Sequence, residues 1–385
     1  MVELQFEDLK FEEQENGGIR AIFLERFYFD LGRDESRDVE IKGENNGKHI
    51  IEFNGTERQF NQLISRKISD ELVCSYTGRR GIYVHQGPII GVQRFGILDS
   101  DTNCIEIRPI TGCNLNCIYC SVKEGPEKRN AVDFVLDKDL IVREFKSIVA
   151  GKKDVYVYIS GQGEPLFYSK IVELVSDVSE IEQVRNISIN TNGSLLTKEL
   201  IDALSAAGLT RFNLSLNAID PELASKIAGV NYDVKHVMEM ARYIRSKGLD
   251  LIVAPVYLDG INNNEMDELI VFAKEIGAFI GIQNFLQYSG GRKPTPELEF
   301  KDFKDRLRVL EKKHGVKLID PDTGIKMTKQ ETLDKPFRKG QVIVVEARYP
   351  GIGVAGDRLI SVPRMDKKQF KVKLVRDKHS VFAGV

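Results

Sequence analysis

The chain has 385 residues, 42% of them hydrophobic and 29% charged, which is long for one compact domain and rich enough in apolar residues for a sizeable core. Lys+Arg number 55 against 57 Asp+Glu, a net charge of −2 that by itself names no partner. Five cysteines are too few for a disulfide scaffold, and no apolar stretch approaches the roughly 18 residues of a membrane span.

In chain order, the N-terminus MVELQFEDLKFEEQENGG is acidic and interrupted, without the basic flank and apolar core of a signal peptide. The expected location is therefore the cytoplasm, with no membrane partner. Residues 1–100 read as a mostly-β domain of unknown role. IRAIFLERFYFDL and KHIIEF are rich in β-branched and aromatic residues, and GENNG and FNGTE mark turns.

From 101 to 298 short apolar runs alternate with amphipathic stretches. The runs are CIEIRPI, VYVYISG, ISINTNG, FNLSLNA, LIVAPVYL and IGIQNFL. The helices between them include DKDLIVREFKSIVA, TKELIDALSAAG, DPELASKIAG, KHVMEMARYIRSKG and NNEMDELIVFAKEIG. Several of these begin at Asp, Asn or Thr and stop at Gly, as capped helices do. The runs are apolar enough to predict burial on both faces. The fold class is therefore α/β, with six alternations building a partial (β/α)6 barrel.

Residues 299–334 read as the helix EFKDFKDRLRVLEKKHG and a linker. Residues 335–385 look all-β and form a small β-barrel. This last stretch holds 12 Lys+Arg against 4 Asp+Glu, an asymmetry suited to a polyanion. In FKVKLV, Phe370, Val372 and Leu374 alternate with Lys371 and Lys373, as in a strand with one dry and one basic face.

The strongest chemical signal is Cys113, Cys117 and Cys120 in GCNLNCIYC, directly after the first run. Three thiolates on one loop can face one centre, one ligand short of a closed site. A zinc knuckle completed by a distant His, or three core cysteines, would be the plain alternatives. Cys104 and Cys74 read as core residues. No cysteine follows Cys120.

The loop resembles the radical S-adenosylmethionine (SAM) superfamily, whose signature CxxxCxxC follows the first barrel strand, with an aromatic residue where Tyr119 stands. Four further motifs match in order. Ser160-Gly161-Gln162-Gly163-Glu164-Pro165 is similar to the family's GGEP, with Gln162 inserted or substituted beside the glycines. Asn190-Thr191-Asn192-Gly193, Asn213-Leu214-Ser215-Leu216-Asn217-Ala218 and Pro255-Val256-Tyr257-Leu258-Asp259-Gly260-Ile261-Asn262 resemble the ends of the third, fourth and fifth strands.

The resemblance implies one [4Fe–4S] cluster on the three cysteines and SAM chelating its open iron. Reductive cleavage would give a 5′-deoxyadenosyl radical that abstracts hydrogen from substrate, with electrons from a donor such as ferredoxin or flavodoxin. Tyr119, Gly161, Gly163, Glu164, Asn192, Ser215, Asn217, Pro255 and Val256 would bind SAM. Glu164 would face its amino group, and Ser215 and Asn217, two apart on a strand, its ribose hydroxyls.

The absence of later cysteines sets the chain apart from family members with auxiliary C-terminal clusters, molybdopterin-precursor synthases among them. The basic tail is similar to the TRAM domain, a barrel that binds tRNA, which makes RNA (tRNA) the expected partner. Gln283, Asn284, Gln287 and Arg292 near the sixth strand end, with Lys371 and Lys373 on the tail, are the candidate substrate contacts. The reading is a radical SAM enzyme modifying a nucleoside in tRNA or another structured RNA. Radical SAM chemistry on a small molecule or protein, and a non-catalytic iron–sulfur RNA-binding protein, are the alternatives.

Overall fold

A computed structural model describes residues 1–122, 132–288, 290–330, 333–363, 365 and 367–385. Parts of the expected regions, residues 123–131 in the barrel, 331–332 in the linker and Arg364 in the tail, lie outside the described residues.

The fold is mixed α/β. A seven-stranded sheet forms its centre. Six strands run parallel in chain order: Cys104–Arg108, Val155–Ile159, Val184–Thr191, Arg211–Leu214, Asp250–Val253 and Phe279–Ile280, here the first to sixth strands. Gly96–Asp99 adds an antiparallel edge beside the first. Helices connect the parallel strands, and four of their starts carry side-chain caps. Asp137, Thr197, Asp220 and Asp233 each accept an amide N–H of the first turn, a contact that contributes about 1 kcal/mol apiece. Helix Ile171–Ser179 follows the second strand.

The expectation that the runs are buried on both faces is corrected. Only the helix-covered face is dry, carrying Ile105, Ile107, Val157, Ile159, Ile187, Ile189, Phe212, Leu214, Leu251 and Val253. The alternate positions of the first, second and third strands are Cys104, Glu106, Arg108, Tyr156, Tyr158, Ser188 and Asn190. Most of them are partly exposed. A period of two along a strand sends one residue set to each face, and this inner face is polar. Cys104 belongs to it, so it is not a core cysteine. Cys74 is fully buried.

The N-terminal region holds two sheets. One is three-stranded (Val2–Phe6, Lys48–Phe53, Val39–Asn45) and the other six-stranded. Phe60 of helix Glu57–Glu71 joins them, its ring 5.4 Å from Phe6, 5.2 Å from Phe53 and 6.2 Å from Phe11. The six-stranded sheet recruits a strand from beyond the cysteine loop. Val132–Leu136 pairs in parallel with Arg80–Val84. This VDFVL run, absent from the strands read in the sequence, also holds the residues leading to Cys113. Thr111 N donates to Phe134 O at 3.0 Å, and Phe134 N to Thr111 Oγ1 at 2.9 Å.

After helix Phe300–His314 the expected linker lies against the N-terminal ends of the central strands. Asn103 and Thr328 exchange hydrogen bonds at 3.0 and 2.8 Å, and Arg211 donates to Thr323 O at 2.5 Å. The tail is a closed five-stranded barrel ordered Val342–Tyr349, Ile352–Ala355, Arg358–Ser361, Phe382–Gly384 and Gln369–Arg376. Val345, Ile360, Val372, Leu374 and Phe382 fill it. Gly353 is required inside, because a Cβ there would collide with Val345.

The barrel is docked on the segment before the central sheet. Leu359 N donates to Ile90 O and Phe382 N to Gly91 O, each at 2.7 Å, and Tyr349 packs on Phe134 with ring centroids 5.6 Å apart. Among the described residues, no helix is long and apolar enough to cross a membrane.

Candidate active site

The cysteine loop is fixed from three sides before any side chain points inward. Asn116 N donates to Ala228 O at 2.9 Å and Ile118 N to Ile227 O at 3.0 Å, which docks the loop on the C-terminal end of helix Pro221–Ala228. The helix stops at Gly229, with φ +68°, and a Cβ there would strike the Asn116 carbonyl, so both the left-handed cap and the close approach require glycine. Asn114 donates to Ser194 Oγ at 2.8 Å and accepts from Asn192 Nδ2 at 3.1 Å. Arg292 closes the third side. Its Nη1 donates to Asn116 O at 2.5 Å and Cys117 O at 2.7 Å, its Nη2 to Asn116 Oδ1, and its backbone N to Cys120 O at 2.9 Å.

Cys113, Cys117 and Cys120 then line one cavity of about 490 Å³ together with Tyr119, Gly161, Gly163, Glu164, Asn192, Ser215, Asn217, Val256 and Gln283. Twelve of the sixteen residues read from sequence as cluster, SAM or substrate contacts in this part of the chain thus share one space. Pro255, Asn284, Gln287 and Arg292 are not part of its lining.

Their side chains and carbonyls are engaged elsewhere. Pro255 O accepts Gln283 N at 2.8 Å, Asn284 donates to Leu298 O at 2.9 Å, and Gln287 Nε2 donates to Thr295 O at 3.2 Å. Arg292 holds the loop, as described. These four are not brought to the cavity lining, and their bonds brace residues 287–298 and the cysteine loop. Lys371 and Lys373 stand exposed on the C-terminal barrel, opposite Val344 and Val342 across the ladder.

Glu164 is buried at 2% exposure and anchors the site. Oε1 accepts Leu166 N at 3.1 Å and Thr191 Oγ1 at 2.6 Å, Oε2 accepts Asn192 N at 2.8 Å, and its own N donates to Gly112 O at 2.9 Å. The carboxylate thus ties the second strand's end to the third and to the loop. Burial pushes its pKa up to about 7, opposed by the donors from Asn192, Thr191 and Leu166. Gly163 packs so tightly on the Gly112 carbonyl that a Cβ would not fit.

Asn217 is likewise occupied. It donates to the Tyr119 hydroxyl at 2.9 Å and accepts Val256 N at 2.8 Å. Ser215 and Asn217 also lie just past the strand, which ends at Leu214. Asn217 lines the cavity from beyond the strand rather than from its face, and there it bridges the cysteine loop and the fifth strand's end.

Burial pushes the Cys113 thiol well up, reinforced by the nearby Glu164 charge. Burial also lifts Cys117 to about 12, with the Cys120 charge adding to it. Cys113 and Cys117, whose anions are so poorly solvated, need a cationic centre to become thiolates. That chemistry fits an iron–sulfur cluster, and Leu115 N already donates to Cys113 Sγ at 3.4 Å. Among the described residues, no group of three or more His, Cys, Asp or Glu is placed to hold a single metal ion. A cluster takes its thiolates on different irons, so they need not converge on one point.

Two features escaped the sequence reading. The Arg292 clamp joins positions 175 residues apart and left no local signal. The polar inner wall did leave one, since Cys104, Glu106 and Arg108 alternate with isoleucines in CIEIR.

Residues 107–273 match the family described as the Radical SAM superfamily. An uncharacterized protein of Methanocaldococcus jannaschii is 33% identical over 365 residues, covering 84% of each chain. The GTP 3′,8-cyclase of Aquifex aeolicus is 29% identical over 180 residues, 46% of this chain and 53% of that one. The match thus spans about half of the cyclase. Among solved structures, SuiB of Streptococcus suis bound to precursor peptide SuiA aligns with TM-score 0.47 at 17% identity, over 82% of this chain and 72% of that one.

Proposed function

The chain belongs to the radical SAM superfamily, whose members use a [4Fe–4S] cluster and SAM, and we propose that it modifies a nucleoside in tRNA or another structured RNA. On this reading Cys113, Cys117 and Cys120 hold the cluster and the cavity beside them takes SAM. When bound, the pair supplies one-electron chemistry that removes a hydrogen atom from substrate. This chain's residues position and enclose. Gly161 and Gly163 let backbone approach the ligand, Glu164 fixes the strand ends around its amino-acid portion, and Ser215 with the Asn217–Val256 bridge shapes the far side. An electron donor such as ferredoxin or flavodoxin completes the system, and the setting is the cytoplasm.

The observation that carries the RNA reading is the placement of the tail. A TRAM-like barrel with Lys371 and Lys373 exposed is stitched to Ile90 and Gly91. Two residues on, the Gln93 carbonyl accepts the Arg108 guanidinium at the cavity wall. A polyanion held by the barrel lysines would be held on a unit docked on the segment that leads to the cavity wall. Nucleoside mass analysis of RNA from cells with and without the protein tests it. Loss of one modified nucleoside is expected, and identical profiles would overturn the reading. A small-molecule substrate is the second reading, favoured by the likeness to a protein named for its action on GTP.

A further inference from the structure

The cavity has a wall that neither the cluster nor SAM requires. Along the inner face of the first strand the Arg108 guanidinium is forked onto Glu106, Nε to Oε1 and Nη2 to Oε2, each at 2.9 Å. Its Nη1 donates to Gln93 O, and Ser160 Oγ donates to Glu106 Oε1. The two charges thus cancel within the wall, and both partners are oriented before a ligand arrives. Carboxamides line the same cavity. Gln162 and Gln283 line the cavity with side chains that have no hydrogen-bond partner among the described residues. Asn190 accepts Asn213 Nδ2 at 2.7 Å on its Oδ1, which leaves its Nδ2 available.

A carboxamide presents a donor and an acceptor side by side. That is the complement of a heterocycle edge with the same alternation, as glutamine and asparagine use against bases. An anionic group brought to Arg108 would meet the Glu106 carboxylate on the same guanidinium and would have to displace it, so the wall selects against phosphate and carboxylate.

We propose that this wall is a recognition site for an uncharged nucleobase, read along its hydrogen-bonding edge by Gln162, Asn190 and Gln283 against the neutral Glu106–Arg108 pair. It rests on the reading of the chain as a nucleoside-modifying enzyme and names the part of the substrate that enters the cavity. The barrel lysines hold the phosphates outside, and the wall takes a base turned out of its stack.

The test is calorimetric titration of the cluster-loaded protein with SAM present, using adenosine, guanosine, cytidine and uridine, their triphosphates, and bulk tRNA. At least one nucleoside should bind, and its triphosphate should bind no more than about threefold tighter. Gln162→Ala, Asn190→Ala and Gln283→Ala should each weaken that nucleoside by roughly three- to tenfold, the size of one neutral hydrogen bond. Iron content and SAM affinity of each variant show that the site is intact. A triphosphate bound tenfold or more tighter than its nucleoside overturns the proposal, as does unchanged nucleoside affinity in all three variants, or no nucleoside binding at millimolar concentration. Nucleoside binding as expected, with tRNA binding indifferent to charge reversal at Lys371 and Lys373, supports the wall and overturns the RNA reading alone.

Discussion

The cysteine loop and the C-terminal barrel hold the side chains proposed to serve function in opposite ways. Around the loop, Asn114, Asn116, Glu164, Thr191, Asn192, Asn217 and Arg292 all bond to one another or to the backbone, and the cavity they enclose is fixed before a ligand arrives. On the barrel, Lys371 and Lys373 stand exposed on a strand whose other face is sealed by Val372 and Leu374. Chemistry on a reacting atom demands positions fixed to a fraction of an ångström, whereas holding a polyanion demands charge at the right distance and little else. The two regions should therefore answer mutation differently. The loop should lose structure and activity together, and the barrel should lose binding alone.

The largest effect is expected at the ligands. Replacing any one of Cys113, Cys117 and Cys120 by Ala should reduce the iron retained after anaerobic reconstitution from about four per chain toward zero, and abolish SAM cleavage with it. Iron analysis and product chromatography check this, and turnover retained in such a variant would show that the ligands lie elsewhere. Arg292→Ala comes next. It removes three charge-assisted bonds to Asn116 and Cys117; one such bond contributes about 1.5–3 kcal/mol, and because Arg292 is only half-buried water replaces part of the set, so thermal unfolding should show a loss of about 3 kcal/mol. Arg292→Lys should recover little of it, because one ammonium cannot span the three acceptors.

Glu164 gives a pH signature. Its pKa is raised to about 7 in the folded protein from the 4.5 expected of an exposed Glu, so the folded state prefers the neutral acid. Stability from this group is full below pH 4.5 and declines as pH rises to about 7, by an amount on the order of 3 kcal/mol. Cluster-free wild type should thus lose stability across that window relative to Glu164→Gln, whose side chain does not titrate. Parallel stability curves for the two would show that the carboxylate is ionised well below pH 7.

How much of this was legible in the sequence follows the same division. CxxxCxxC, GQGEP and NTNG announced the loop and the strand ends because each is local, and with the two later strand-end motifs they make five in order. Their partners were not legible. Asn217 was read as a site residue, but its bonds to Tyr119 and Val256, 98 and 39 residues away, left no local signal. The VDFVL strand was hidden by its destination, since it pairs with a sheet formed before residue 100. The tail's alternation of Phe370, Val372 and Leu374 with lysines gave the strand Gln369–Arg376 and its dry face. The Ile352–Ala355 strand did not stand out, because two glycines flank its first residue.

The smallest effect on the fold, and the sharpest on the comparison, is expected from Lys371→Glu with Lys373→Glu. Removing the whole barrel would be a poorer experiment. Tyr349 packs on Phe95 and Phe134, and Leu359 and Ile352 belong to the main core, so truncation would expose the rings behind the Thr111–Phe134 bonds that lead into the cysteine loop. The two lysines avoid this. Both are exposed and lie opposite Val342 and Val344, which are themselves 62% and 57% exposed, so reversing their charge should change stability by no more than about 0.5 kcal/mol each. Iron content and SAM cleavage without RNA should stay at wild-type levels. Binding to tRNA should weaken, and the slope of log affinity against log salt should become shallower by about 0.7–0.9 for each phosphate contact removed. Filter binding across a salt series measures it. An unchanged slope would mean that the basic face is only a solvated surface, and the two regions would then differ in rigidity without dividing the labour of binding and chemistry.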